Sequence, residues 1–223
     1  MRAVPLNLLL IRHGVTDWNE AGRLMGRAAI GLNARGLEQA TALAETLRPA
    51  PLRLVLASPQ RRALETAAPI AAAHALPVRS DAGLDEVWLG RWQGKTWTDL
   101  RDDPDLQQYV RDPAYVCDAI EPAAAVQQRI VATVEHLRGV GHTGAVAIIS
   151  HGDPIKLVLA HYLSMALPAF RCLTIDNGSV SVLRFDASAD RRLLLSNWRA
   201  GAALWQMLSC QLTGDGGSDG DVH

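Results

Sequence analysis

The apolar residues of this chain gather into short unbroken runs, each stopped by polar residues, glycine or proline. Leu8-Leu9-Leu10-Ile11 ends at Arg12-His13-Gly14, Leu52 to Ala57 ends at Ser58-Pro59, and Ala145 to Ile149 ends at Ser150-His151-Gly152. Runs of this kind read as strands buried on both faces. Between them the spacing changes to that of a helix. Asn33 is placed as an N-cap ahead of Leu37, Ala40, Ala44 and Leu47, and Pro49 and Pro51 close the segment. Ser58 followed by Pro59 predicts a second cap, with a helix from Gln60 to His74 that turns Ala63, Ala67, Ile70 and Ala71 inward. Val126, Ile130, Val134 and Leu137 share a face after Pro122, and Pro154 to Leu167 reads as the next helix, stopped by Pro168. Pro77–Ser80, Cys172–Ile175, Val180–Phe185 and Leu193–Ser196 complete the strands, while Val15 to Ile30 is a loop with at most one helical turn.

Strands alternating with helices imply βαβ units. The expected fold is therefore α/β, a three-layer sandwich with a mostly parallel central sheet. Residues 81–121 break the alternation. They hold Trp88, Trp92, Trp97, Tyr109 and Tyr115 among many Gly, Asp and Pro, and are expected to fold over the sheet as a lid that contacts substrate and excludes water. The expected organisation is one domain over residues 1–213, then a polar Gly/Asp-rich tail, 214–223, that is disordered.

Composition narrows the partners. Twenty-two basic and 23 acidic residues leave a net charge of −1, which favours neither nucleic acid nor an anionic membrane. No apolar run approaches the roughly 20 residues of a membrane span. Pro5 and Asn7 interrupt the N-terminal apolar stretch, so no signal peptide is expected. Cys117, Cys172 and Cys210 are odd in number and scattered, as in thiols of a reducing compartment, and the expected location is the cytoplasm. Apolar groups between Trp198 and Leu208 offer either a homodimer surface or a packed terminal helix.

If the strands are parallel, their carboxyl ends share one edge, where ligands collect in open α/β sheets. That edge would gather Arg12, His13, Ser58, the Arg61-Arg62 pair, Glu86 and His151. Guanidinium forks, imidazoles and helix N-termini together suit a phosphate-sized anion. Spacing leaves open which of Arg61 and Arg62 faces the site. A neutral His there can attack phosphorus, and a nearby carboxylic acid can protonate the departing oxygen. His and carboxylates also bind metals, yet there is no His-x-His, no His-Glu-x-x-His and no cysteine pair. Gly-x-Gly-x-x-Gly and Walker-type loops are missing too, so neither a metal nor a cofactor is expected.

Arg12-His13-Gly14-x-Thr16-x-x-Asn19 resembles the signature of the histidine phosphatase superfamily, which includes phosphoglycerate mutases. Leu32-Asn33-x-x-Gly36-x-x-Gln39-Ala40 and Ser58-Pro59-x-x-Arg62-Ala63-x-x-Thr66-Ala67 resemble its next two motifs. Leu84-Asp85-Glu86-x-x-x-Gly90-x-Trp92-x-Gly94 and Ser150-His151-Gly152 resemble its acid and second histidine motifs, and the likeness spans about residues 6–200. The resemblance implies a metal-independent phosphoric monoester hydrolase. His13 would become phosphohistidine, while Arg12, Arg62 and His151 would hold the phosphoryl group. Glu86 would be proton donor and then base, and Asn19 would contact phosphate or substrate. It also selects Arg62 over Arg61. The chain departs from the pattern at Val15, at Glu121-Pro122-Ala123 and at Asp153-Pro154.

Within this chemistry the expected activity is hydrolysis of a small phosphorylated metabolite. A cofactor-dependent phosphoglycerate mutase is the rival. A mutase would need a basic lid, whereas this one carries Arg91, Lys95, Arg101 and Arg111 against Asp99, Asp102, Asp103, Asp105, Asp112 and Asp118. A non-catalytic phosphate-ligand binding module is the third reading; it would lack at least one core group, and all are present.

Overall fold

The first apolar run forms β1 (Leu6–Arg12), one of the two central strands of a six-stranded sheet. Its residues alternate between two cores, which is why the run is apolar throughout. Leu9 and Ile11 face one side with α2 (Ala34–Leu47) and α3 (Arg61–Ala73). Leu6, Leu8 and Leu10 face the other with α5 (Ala123–Gly139) and α6 (Gly152–Tyr162). Burial of each such leucine contributes about 1.5–3 kcal/mol. The remaining elements are α1 (Asp17–Glu20), β2 (Leu52–Ala57), β3 (Val78–Ser80), α4 (Pro104–Arg111), β4 (Gly144–Ser150), β5 (Ser179–Phe185) and β6 (Arg191–Arg199). This computed structural model describes residues 5–112, 115–117, 120–142, 144–186 and 190–199.

The strand order is β3-β2-β4-β1-β5-β6. β3, β2, β4 and β1 run parallel, whereas β5 pairs antiparallel with β1 and with β6. The sheet is thus mixed, with helices on both faces, as the α/β reading expects. The pairing that matters for function is Arg12 with Ser150, because it delivers His13 and His151 side by side.

Three boundaries differ from the sequence reading. Ser58 is not the cap of α3; Gln60 holds that position, and the Ser58 hydroxyl donates to Asp85 Oδ1 at 2.8 Å. The helix expected over Pro154–Leu167 begins at Gly152 and stops at Tyr162, where Ser164 takes a left-handed φ of 56°. A 3-10 turn, Leu167–Cys172, follows, and Cys172–Ile175 forms no strand. The tail 214–223, Cys210 and the stretch Gly201 to Leu208 lie outside the described residues.

The aromatic segment builds its own apolar cluster. After a 3-10 turn, Ala82–Leu84, whose Leu84 joins the core under α5, a second (Gly90–Trp92) and α4 place Trp92, Leu106 and Tyr109 against Val126 of α5 and Leu157 of α6. This cluster stands beside the carboxyl edge of the sheet and forms the far wall of the cavity there. No described helix is long and apolar enough to cross a membrane.

Candidate active site

Four chain segments meet at that edge. β1 brings Arg12 and His13, the first turn of α3 brings Arg62, the loop after the Ala82–Leu84 turn brings Glu86, and the start of α6 brings His151. His13, Arg62 and His151 are buried. Arg61, by contrast, is exposed and pairs with Glu65 at 2.7 Å. The burial of Arg62 separates two neighbours that spacing could not.

Hydrogen bonds fix the state of His13. Its Nδ1 lies 2.7 Å from the Gly14 carbonyl, which can only accept, so Nδ1 carries the proton. Arg62 Nε–H donates to His13 Nε2 at 3.2 Å, so the lone pair is on Nε2. Burial first, then the charges of Arg62 and Arg12, holds the His13 pKa well below its ordinary value. The imidazole is therefore neutral, with its lone pair on the nitrogen that meets Arg62.

Arg62 is itself held rigidly. Nη2 donates to Gly26 O at 2.8 Å and Nη1 to Ala28 O at 3.0 Å. Burial lowers its pKa to about 10, which leaves it cationic at neutral pH. Arg12 Nη1 donates to Ile175 O at 2.6 Å, while its buried Nε has no partner. His151 occupies the N-cap of α6, yet its ring makes no capping bond and both ring nitrogens are buried and unpartnered. Its ring centre lies 5.1 Å from that of His13. Burial followed by the Arg62 charge pushes its pKa well down, so it too is neutral. Orphaned donors beside two guanidinium groups at a helix N-terminus fit a tetrahedral anion.

Glu86 lines the same cavity. Burial, then the nearby Asp153 carboxylate, raises its pKa to about 7 against the pull of Arg62 and Arg12. Its backbone is braced from below. Arg129 Nη2 and Arg27 Nε both donate to Glu86 O at 3.1 Å, and Glu121 clamps both arginines at 2.9–3.1 Å. The Glu121 departure thus has a structural use, since Glu121 Oε2 also accepts from Trp88 N at 3.2 Å.

Asn19 lines the cavity, and its Oδ1 accepts from Thr16 N at 3.1 Å and from Asn177 Nδ2 at 3.2 Å. Behind Val15, Gln39 Oε1 accepts from the Val15 N–H at 2.8 Å. The cavity in front of these groups measures about 280 Å³. Among the described residues no three His, Cys, Asp or Glu side chains stand together as a metal-binding group.

The profile of the histidine phosphatase superfamily (branch 1) matches residues 8–198. The chain belongs to this superfamily. As a histidine phosphatase it has recognisable relatives of several kinds. A bifunctional protein of Mycobacterium tuberculosis is 34% identical over 200 residues, covering 88% of this chain and 55% of that protein. The chain thus spans about half the length of that relative. Phosphoserine phosphatase 1 of Hydrogenobacter thermophilus is 29% identical over 184 residues, 81% of this chain and 87% of the relative. The solved structure of mycobacterial glucosyl-3-phosphoglycerate phosphatase is similar with a TM-score of 0.78 at 29% identity, over 88% of this chain and 100% of that one.

The structure adds groups to this histidine phosphatase site that the sequence reading passed over. Asn177 Nδ2 donates to His13 O at 3.1 Å, and Gly178 N donates to both Arg12 O and His13 O at 3.1 Å. Asn177-Gly178 reads as a turn signal and nothing more. Thr66, which receives the Gly14 N–H at 3.0 Å, belonged to a recognised motif without an assigned task.

Proposed function

We propose that this histidine phosphatase hydrolyses small phosphomonoesters through a covalent phosphohistidine on His13, without a metal or cofactor. The observation that carries the reading is the fixed tautomer of His13, which leaves the lone pair on Nε2 against Arg62, with the His151 ring centre 5.1 Å from that of His13. In the first step Nε2 attacks phosphorus and the bond to the ester oxygen breaks. Arg62 Nε–H moves from the ring to a phosphoryl oxygen as the lone pair is used. Arg12, Arg62 and His151 stabilise the oxygens, and the Asn19 amide contacts the phosphate or substrate. Glu86, half protonated near neutral pH, gives its proton to the departing alkoxide. In the second step Glu86 takes a proton from water, whose oxygen displaces His13 and releases phosphate.

The described part of residues 81–121 serves as the cover of this site. The two free thiols among the described residues, Cys117 and Cys172, suit a cytoplasmic setting, and the near-neutral net charge offers nucleic acid no purchase.

The test is phosphate release from a panel of phosphomonoesters, with chelator present, for the wild type and His13→Ala. Turnover that survives chelator and is lost in His13→Ala is expected. Loss of turnover on chelation would refute the metal-free route, and isomerisation of 3-phosphoglycerate dependent on added bisphosphate would make it a mutase.

A further inference from the structure

Away from the phosphoryl-binding end the cavity changes character. Met25, Leu89, Trp97, Leu106, Tyr109 and Ile120 line it. Trp97 is 54% exposed although it contributes to this wall, so its indole is not spent on the core. The charges in the same wall are mostly committed. Glu86 and Asp153 bring two carboxyl groups to the cavity, and Lys156 Nζ is tied to Asp153 Oδ1 at 3.3 Å. Arg23 donates through Nη1 to Gly94 O at 2.7 Å.

We propose that the leaving alcohol of the substrate is uncharged and carries a ring or similarly apolar body that packs on Trp97, Leu89 and Tyr109. This rests on the phosphomonoesterase reading above. A ring buries large area against such walls at little entropic cost. A carboxylate on the alcohol would instead become a further anion beside Asp153, stripped of water. To meet it, Lys156 would have to abandon Asp153, and Arg23 would have to leave the Gly94 carbonyl. Cleavage breaks the ester P–O bond, the alcohol leaves with the Glu86 proton, and a neutral ring-bearing alcohol diffuses out.

The test uses three alkyl esters: 2-phenylethyl phosphate, glycerol 2-phosphate and 3-phosphoglycerate. Their leaving alcohols are all far less acidic than a phenol, so the cavity and not leaving-group acidity sets the order. The expected kcat/KM for 2-phenylethyl phosphate exceeds that for 3-phosphoglycerate by at least about tenfold, mostly through KM. In Trp97→Ala, a surface change that spares the core, the advantage of 2-phenylethyl phosphate over glycerol 2-phosphate shrinks by about fivefold. An unchanged advantage in Trp97→Ala would overturn the assignment of this wall. Hydrolysis of 3-phosphoglycerate as fast as the ring ester, and lost in His13→Ala, would overturn the substrate class while leaving the phosphatase intact. Failure of all three esters to release phosphate would remove both readings.

Discussion

Arg62 Nε–H rests on His13 Nε2 at 3.2 Å, so the proposed phosphate clamp and the proposed nucleophile are in direct contact before substrate binds. One guanidinium links the ring to two loop carbonyls, Gly26 O and Ala28 O. Lysine cannot reproduce three donors in a fixed plane. Arg62→Lys is expected to lower kcat/KM by about 10²–10³-fold and stability by about 1–3 kcal/mol. Steady-state kinetics and urea unfolding of the same preparation check both figures.

Glu86 links activity and stability to pH in the same sense, since both fall as pH rises. Its folded pKa of about 7 lies above the ordinary 4.5. Below 4.5 both folded and unfolded chains keep the proton; between 4.5 and 7 the unfolded chain releases it first. Folding stability is therefore lost as pH rises through that window, by roughly 2 kcal/mol once partial exposure is discounted. Glu86→Gln should remove this loss and raise Tm at pH 8 by about 4–8 °C while abolishing efficient turnover. In the wild type, the phosphoryl-transfer rate should decline above about pH 7 as the acid is deprotonated, whereas His13 stays neutral well below its ordinary range. Calorimetry across pH and a pre-steady-state pH profile test the two halves.

Gly36 explains a motif whose use is not evident from chemistry. A Cβ there would lie 2.1 Å from Val15 O, and one on Gly14 would lie 2.6 Å from Gly36 O. The start of α2 thus packs backbone to backbone on the loop that follows His13. Gly36→Ala is expected to cost about 1–3 kcal/mol and to weaken activity through the displaced Gln39 contact with Val15 N. Chemical denaturation alongside kcat measures the pair.

Asn177 is expected to act as a positioning residue. Asn177→Asp would replace a donor by an acceptor facing His13 O and Gly14 O. The expected result is a fall in kcat of about tenfold or more with KM little changed. A KM effect of the same size would mean that Asn177 binds substrate instead.

The strand runs and their ends were legible because burial on both faces leaves a continuous apolar signature. The pattern alone thus places His13 and His151 together. Arg62 and Glu86 were different. Adjacent arginines on a helix start look alike until burial separates them, and Glu86 acquires its raised pKa from burial and then from Asp153, both of which depend on residues remote in sequence. The strand pattern brings the Arg61-Arg62 pair and Glu86 to the shared edge, and the resemblance to a family selects Arg62 from the pair. Ser58 looked like a cap because local chemistry favours it, yet the distant Asp85 carboxylate claimed the hydroxyl. Arg129, Arg27 and Glu121 carry no local signal, because their shared task is to hold the backbone of Glu86 across long separations.

The central claim is that phosphate passes through His13. Rapid quenching of a stoichiometric reaction with a radiolabelled phosphomonoester, followed by peptide mapping, tests it most directly. The account predicts an acid-labile, base-stable phosphoryl group on His13 that forms within the first turnover and is missing in His13→Ala. Turnover without a phosphoenzyme, or with the label on any other residue, would contradict it.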